Sequence, residues 1–404
     1  MAKRSIADID VAGRRVLTRV DFNVPLDGGR IVDDRRIEAA LPTIRSIVSR
    51  GGRAVLLSHL GRPKGVGYEE AYSLRPVAKR LEELLGEEAI GGVAFPSEDC
   101  LDEAAQAAVE ALPEGGVALL ENLRFHAGEK KGDADFAARL ASLGEIYCND
   151  AFGTCHRSDA SMVALPRAMK PAPAVAGFLL DAEIRYLQGA VADPKRPFVA
   201  ILGGAKVSDK LGAIRHLLER VDALVVGGAM AYTLLAAQGV AVGGSRVEPD
   251  MLGEAKDVLD LAAAKGRQLL LPIDHVCGRA LQAGTETISV DGAIPEGWMG
   301  LDVGPRTAEA FASAIRAAGT VVWNGPMGVF EMPPFDAGTR RVAEAVAAAT
   351  EAGAVTIAGG GDTAAAVEVF GVANRLSHVS TGGGASLEML EGKAFESLAM
   401  LDDA

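Results

Sequence analysis

VTIAGGGDTAAAVEVF, residues 355–370, sets a short apolar run, three glycines and an Ala-rich amphipathic stretch in one line. That order reads as a buried strand, a tight turn and the start of a helix. Glycine lets a backbone turn sharply and approach a ligand, and the free N–H groups at a helix N-terminus favour an anion. Asp362 stands at that point. A carboxylate beside a phosphate repels it unless a divalent cation lies between, held mostly by oxygens of phosphate and water. The alternative is that Asp362 only caps the helix, a position that Asp favours.

The same order recurs in HVSTGGGASLEML at 378–390, and a looser version of it runs through the whole chain. Apolar, β-branched runs at 16–20, 54–57, 117–120, 146–148, 198–202, 224–226, 268–271, 321–323, 355–358 and 379–381 alternate with helical patterns. Near-continuous apolar strands separated by helices predict parallel sheets covered on both faces. The expected fold is therefore α/β, with two Rossmann-like domains joined by a hinge helix. The prolines at 166, 171 and 173, a helix expected over 180–191 and then DPKRP at 193–197 mark the connector. The expected division is an N-terminal domain over 1–172, a connector over 173–197 and a C-terminal domain over 198–392.

Composition narrows the partners. The 404 residues are 49% apolar and 24% charged, with a formal charge of -13. That charge argues against nucleic acid or an anionic membrane as the main partner. Residues 1–180 carry 23 Lys and Arg against 26 acids, net -3, and 181–404 carry 18 against 28, net -10. A small anion is more easily held by the first half. Four cysteines at 100, 148, 155 and 277 have no CxxC or finger spacing, as expected in a reducing compartment. The first residues, MAKRSIADIDVAG, lack an apolar export signal, so the expected location is the cytoplasm. Residues 223–245 hold no charge, yet their glycines split them into a strand, a turn and a helix rather than a membrane span.

Polar and glycine residues gather where the strands end. In the first half these are Asp21, Asn23, His59, Arg62, Arg124 and Arg157; in the second, Lys206, Gly227, Gly228, Asn324 and the two triple-glycine turns. Ligands of open parallel sheets bind outside the carboxyl ends of the strands. Arg36, Arg62, Arg124 and Arg157, with His59, are a donor set suited to a molecule bearing phosphate and carboxylate. Arg36 is expected in the first turn of a helix begun by Asp33 and Asp34, and Pro42 is expected to kink that helix. His59 and His156 lack an orienting carboxylate at fixed spacing and read as anion-binding donors. Lys206 and Lys210 lie four apart in GGAKVSDKLG, which predicts one helix face that presents two ammonium groups to a polyphosphate. There is no GxxxxGK[ST]. Gly359, Gly361 and Ala364 satisfy GxGxxA, which keeps an NAD-dependent oxidoreductase as an alternative, and a non-catalytic nucleotide-binding protein as a third reading.

RVDFNVPL (19–26), SHLGRPKG (58–65), ENLRF (121–125), NDAFGTCHR (149–157), LGGAKVSDKL (202–211), GWMGLDVGP (297–305), VWNGPMGVFE (322–331), AGGGDTA (358–364) and HVSTGGGASLEMLEGK (378–393) together resemble phosphoglycerate kinases. The resemblance implies reversible phosphoryl transfer between 1,3-bisphosphoglycerate and ADP, giving 3-phosphoglycerate and ATP with Mg2+. It also implies a glycolytic monomer whose domains close about a hinge and whose last residues, 393–404, return to the first domain. Carried over by motif, Asp21, Phe22, Asn23, Arg36, His59, Leu60, Gly61, Arg62, Arg124 and Arg157 hold the phosphoglycerate. Lys206, Lys210, Gly227, Gly228, Gly300, Asn324, Glu331, Gly360, Gly361, Asp362 and Thr363 contact the nucleotide, Gly227 and Gly228 near the adenine and Asp362 on the metal. Arg36, Lys206, Gly361 and Gly384 are the expected catalytic groups. The chain departs from the family's usual pattern at Cys155, Asp159 and Ala229, where Ala, His or Gln, and Gly are common.

Overall fold

The computed structural model describes residues 2–404. Its strands are β1 (Arg15–Val20), β2 (Leu26–Asp27), β3 (Arg30–Ile31), β4 (Arg53–Leu57), β5 (Val93–Ala94), β6 (Val117–Leu119), β7 (Ile146–Asp150) and β8 (Ala174–Ala176) in the first half. The second half holds β9 (Phe198–Leu202), β10 (Ala223–Val226), β11 (Gln268–Leu270), β12 (Asp274–Gly278), β13 (Thr287–Asp291), β14 (Met299–Val303), β15 (Thr320–Asn324), β16 (Val355–Gly359) and β17 (His378–Val379). Two six-stranded parallel sheets result, in the orders β5-β6-β4-β1-β7-β8 and β11-β10-β9-β15-β16-β17. The apolar runs of β1, β7, β9 and β15 are buried along nearly their whole length, as strands sandwiched between helices must be.

The expectation of parallel strands alone is incomplete. β13, β12 and β14 form a three-stranded antiparallel sheet. β13 alternates half-buried and exposed residues because only one of its faces is covered, a pattern too weak to stand out beside the apolar runs. Tyr232, Cys277 and Trp298 pack with Val242 and Ile294 into a small core beneath this sheet.

Contacts divide the chain into one unit that runs to Arg185 and includes Ala394–Ala404, and a second unit, Tyr186–Lys393. The proline segment is therefore not a free connector. Pro166 lies in the helix Ala164–Ala168, and Ala174–Ala176 is β8, paired with β7 in the first sheet. The change of unit falls within the helix Phe178–Ala192. The last residues join the first unit: the Asp402 N–H donates to Ala174 O at 2.8 Å, the Ser397 hydroxyl to Cys155 O at 2.7 Å, and Lys3 pairs with Asp403 at 2.8 Å.

Pro42 sits inside a continuous helix, Arg35–Ser49. Among the described residues no helix is long and apolar enough to cross a membrane, and the uncharged stretch at 223–245 contains β10 and the helix Met230–Ala237.

Candidate functional site

Each parallel sheet has a point where the chain changes the direction in which it adds strands, and open sheets bind ligands beside such points. In the first sheet this is β1, flanked by β4 and β7. Asp21 follows β1 and its Oδ2 accepts from Arg36 Nη1 at 2.9 Å; the same nitrogen reaches Asn23 O at 3.3 Å. Arg36, in the first turn of its helix, is thereby held at the end of β1. The helix starts at Arg35 with Asp34 as its N-cap residue, as expected; Asp33 Oδ1 accepts the Arg35 backbone N–H at 3.1 Å, and the Asp34 side chain binds Arg80 rather than the helix.

The neighbouring loops are tied to this point. Asn23 Oδ1 accepts the Gly61 N–H at 2.8 Å, Phe22 N–H donates to Ser58 Oγ at 2.9 Å, and Leu60 O accepts from Asn122 Nδ2 at 2.8 Å. Arg124 Nη1 reaches Gly61 O at 2.9 Å and its Nη2 reaches Asp159 Oδ2 at 3.4 Å. Arg62 and Arg157 are exposed, with their side chains open to a ligand.

His59 is buried, and burial together with Arg19, Arg124, Arg157 and Arg36 holds its pKa well below the usual imidazole value. The ring is neutral at physiological pH. Arg19 Nη2 lies 3.1 Å from His59 Nδ1. A guanidinium can only donate, so Nδ1 accepts and the proton sits on Nε2, which makes that edge of His59 a donor. Sequence reasoning missed Arg19. It is fully buried within β1, bonded to Ser161 Oγ at 2.8 Å and paired with buried Glu129 at 3.9 Å. A charged residue inside the apolar run VLTRV was the signal that could have found it.

In the second sheet the change of direction lies at β9 and β15, and a cavity of about 330 Å³ opens there. Gly203, Gly204, Lys206 and Lys210 after β9, Asn324 at the end of β15 and Gly325 after it, Gly360–Thr363 after β16, and Gly383 with Gly384 after β17 line it. The helices Gly361–Val369 and Gly384–Leu390 both start at its edge, so their N-terminal residues line the same cavity as the two lysines. Gly360 precedes the first helix at φ +92°, a backbone state that side chains resist. Asp362 is the second residue of the helix, and Gly360 occupies the cap, which rules out the capping role considered for Asp362.

Lys206 and Lys210 do not share a helix face as expected. The helix begins only at Leu211; Lys206 lies in the irregular segment before it and Lys210 in the turn that leads into it. The Gly-Gly turn delays helix formation, so the two reach one cavity from irregular backbone. Lys210 bonds Asn324 Oδ1, and burial pushes its pKa down to about 8 against the pull of Asp362, Asp209 and Glu391.

A second cavity of about 280 Å³ shares Gly204, Ala205 and Asp362 with the first. Its walls are mostly apolar: Ala229, Tyr232, Leu281, Gly300, Leu301, Met327 and Val329, with Gly228, Arg246 and Glu331. Gly300 is obligatory here because a Cβ would overlap the Tyr232 hydroxyl. Gly227 lines neither cavity; it is buried against Met327, where a Cβ would overlap the sulfur. Asn324 lies on the polar cavity rather than on the apolar one. Tyr232 and Met327 were not singled out in the sequence because apolar residues on helices and turns read as core.

A polar cavity with paired ammonium groups and helix N-termini, adjoining a mostly apolar one, fits a nucleotide polyphosphate and its base. The arginine-rich site of the other unit fits a small phosphorylated acid. Comparison with known proteins agrees. The family model for phosphoglycerate kinase matches residues 6–393. Phosphoglycerate kinases from Rhodopirellula baltica and Chloroflexus aurantiacus are 53% and 52% identical, with 100% of each chain covered. The solved phosphoglycerate kinase of Coxiella burnetii superposes with a TM-score of 0.88 at 38% identity, and that of Pyrococcus horikoshii with 0.84 at 32%, each covering 98% of both chains.

Proposed function

From the premise that the chain belongs to the phosphoglycerate kinase family, and so transfers a phosphoryl group reversibly between 1,3-bisphosphoglycerate and ADP to give 3-phosphoglycerate and ATP, we propose how its residues divide that reaction. The dehydrogenase alternative, which rested on GxGxxA alone, is set aside. The first unit holds the phosphoglycerate through Arg36, Arg62, Arg124, Arg157 and the Nε2–H of His59, with Asp21 and Asn23 positioning Arg36 and Gly61. The second unit holds the nucleotide, its phosphates against Lys206, Lys210 and the N–H groups at Gly361 and Gly384, its base beside Gly228, Gly300 and Glu331.

Asp362 is the residue that would hold Mg2+. Its exposed carboxylate stands in the phosphate cavity beside two lysines, which fits an ion that takes one protein oxygen and its remaining ligands from phosphate and water. When bound, the ion neutralises charge on the phosphate oxygens.

The acceptor, a carboxylate, is already ionised at neutral pH, so the reaction needs no general base. The work left is positioning and stabilisation of charge on the moving phosphoryl group. Arg36 and Lys206 supply cations for it, and the helix N–H groups supply fixed dipoles. Because donor and acceptor share one phosphoryl group and their binding residues lie on different units, each turnover requires the units to close, with the helix Phe178–Ala192 as the hinge. Closure also keeps water from the acyl phosphate. We place the enzyme in the cytoplasm as a monomer.

The observation that carries this reading is the pair of contiguous cavities in the second unit, one lined by lysines and helix N-termini and the other apolar. Calorimetric titration of the full chain tests it. Arg62→Ala is expected to weaken 3-phosphoglycerate binding at least ten-fold and leave MgATP unchanged, and Lys210→Ala to do the reverse, about ten-fold being the worth of one charge-assisted bond. Loss of both ligands in either variant would refute the division.

A further inference from the structure

The loop between β5 and the helix Glu103–Glu110 meets the turn that follows Arg124 at a group of side chains with no part in phosphoryl transfer. The ligand atoms of Asp99, Cys100 and His126 all lie within 4.8 Å of one another. We propose that these three side chains form a binding site for a borderline transition-metal ion of the Zn2+ class.

The donor set argues for that class. One thiolate, one imidazole and one carboxylate suit Zn2+ or Co2+, whereas Mg2+ demands hard oxygens. His126 Nε2 is already 3.0 Å from Asp99 Oδ1. A tetrahedral ion with ligand bonds of about 2.0–2.3 Å spaces its donors by roughly 3.3–3.7 Å, so small side-chain adjustments suffice. The three donors come from two separate chain segments, each fixed by other contacts. The Leu101 N–H donates to Asp99 Oδ1 at 2.8 Å, and Arg139 and Gln106 both bond Leu101 O, at 3.2 and 2.9 Å. The His126 ring packs on Phe136 with centroids 5.1 Å apart.

Cys100 is the side chain that most needs an ion to become a ligand. It is 1% exposed, and burial beside Asp99 and Glu129 pushes its thiol pKa well up, so no free thiolate forms at neutral pH. A divalent charge reverses that preference: the S–H bond breaks, the proton leaves to solvent and the sulfur–metal bond forms. His126 binds as the neutral imidazole: its ring proton passes through solvent from Nε2 to Nδ1, which frees the Nε2 lone pair for the ion. His126 also borders an open cavity of about 330 Å³, where Asp133 and Asp135 offset the charges of Lys131 and Arg139, from which an ion enters and water completes its shell. The other three cysteines belong to no such group among the described residues. Occupation would tie the Asp99 loop to His126, two residues beyond Arg124.

The test is titration of the chelator-stripped full chain with Co2+ alone, without nucleotide. One equivalent is expected to give a near-ultraviolet sulfur-to-cobalt absorption band. Cys100→Ser should abolish the band, His126→Asn should weaken binding about ten-fold or more, and Cys277→Ser should leave both unchanged. His126 is only half-buried, so its variant keeps the test open if Cys100→Ser fails to fold. No band in the wild-type chain, a band that survives Cys100→Ser, or an unchanged Co2+ affinity in His126→Asn would overturn the site.

Discussion

Lys210 sits where burial and function pull in opposite directions. Its ammonium group lines the cavity proposed for phosphate, yet desolvation brings its pKa down to about 8. Below that pH the group is charged and attracts phosphate; above it the charge is lost. The KM for ATP should therefore rise about ten-fold between pH 7 and pH 9, the worth of one charge-assisted bond. Lys210→Arg, which stays charged, should flatten that rise, and steady-state kinetics at both pH values would detect a slope that persists. Arg19 and Glu129 make a residue-scale claim about stability. Both are fully buried, and an arginine left without its carboxylate keeps an uncompensated charge in the core. Arg19 Nη1 also donates to Val20 O; Glu129→Gln should cost about 3 kcal/mol in urea denaturation, and a cost under about 1 kcal/mol would show that Ser161 and Val20 O suffice for Arg19. The basic set around β1 was legible in sequence because arginines followed successive strands. Arg19 was not, since its role comes from where β1 is buried and not from its spacing.

At the scale of elements, the base pocket depends on the antiparallel sheet that the apolar pattern did not announce. Gly300 in β14 lies against Tyr232 on the helix Met230–Ala237, with no room for a methyl group between them. Gly300→Ala should drive the Tyr232 ring toward the pocket and raise the KM for ATP about ten-fold with little change for 3-phosphoglycerate. Tyr232→Ala in the same chain should restore much of the affinity. Equal KM increases for both substrates would mean that the sheet, not the pocket, had been damaged. Strands of the two parallel sheets were readable because burial on both faces leaves continuous apolar runs. β8 was lost to the proline-rich segment around it and β5 is only two residues long, whereas β17, equally short, was read at 379–381. Lys206 and Lys210 were correctly paired but on the wrong backbone, because a four-residue spacing cannot tell a helix from a Gly-Gly turn that precedes one.

For the whole molecule, two buried groups tilt stability with pH in opposite senses. His59 has a folded pKa well below its ordinary 6.5, so the stability it carries is present above 6.5 and is lost as pH falls toward the folded value. Asp150 is the reverse case: burial raises its pKa from 3.8 to about 7, so its contribution is present below 3.8 and is lost as pH rises through 7. Chemical denaturation at pH 5 and pH 8 should show a smaller loss toward pH 8 for Asp150→Asn than for the wild type, and an identical slope would contradict it. The proposed division of the reaction between the units rests on a pattern present in the sequence: guanidinium groups lie in one half, glycine turns and lysines in the other. The central claim is that phosphoryl transfer uses cations from each half and no general base. The most direct measurement is steady-state turnover of ATP and 3-phosphoglycerate by Arg36→Ala and Lys206→Ala. The account predicts that kcat falls about a hundred-fold or more in each, with far smaller changes in either KM, whereas wild-type kcat in either variant with only a raised KM would contradict it.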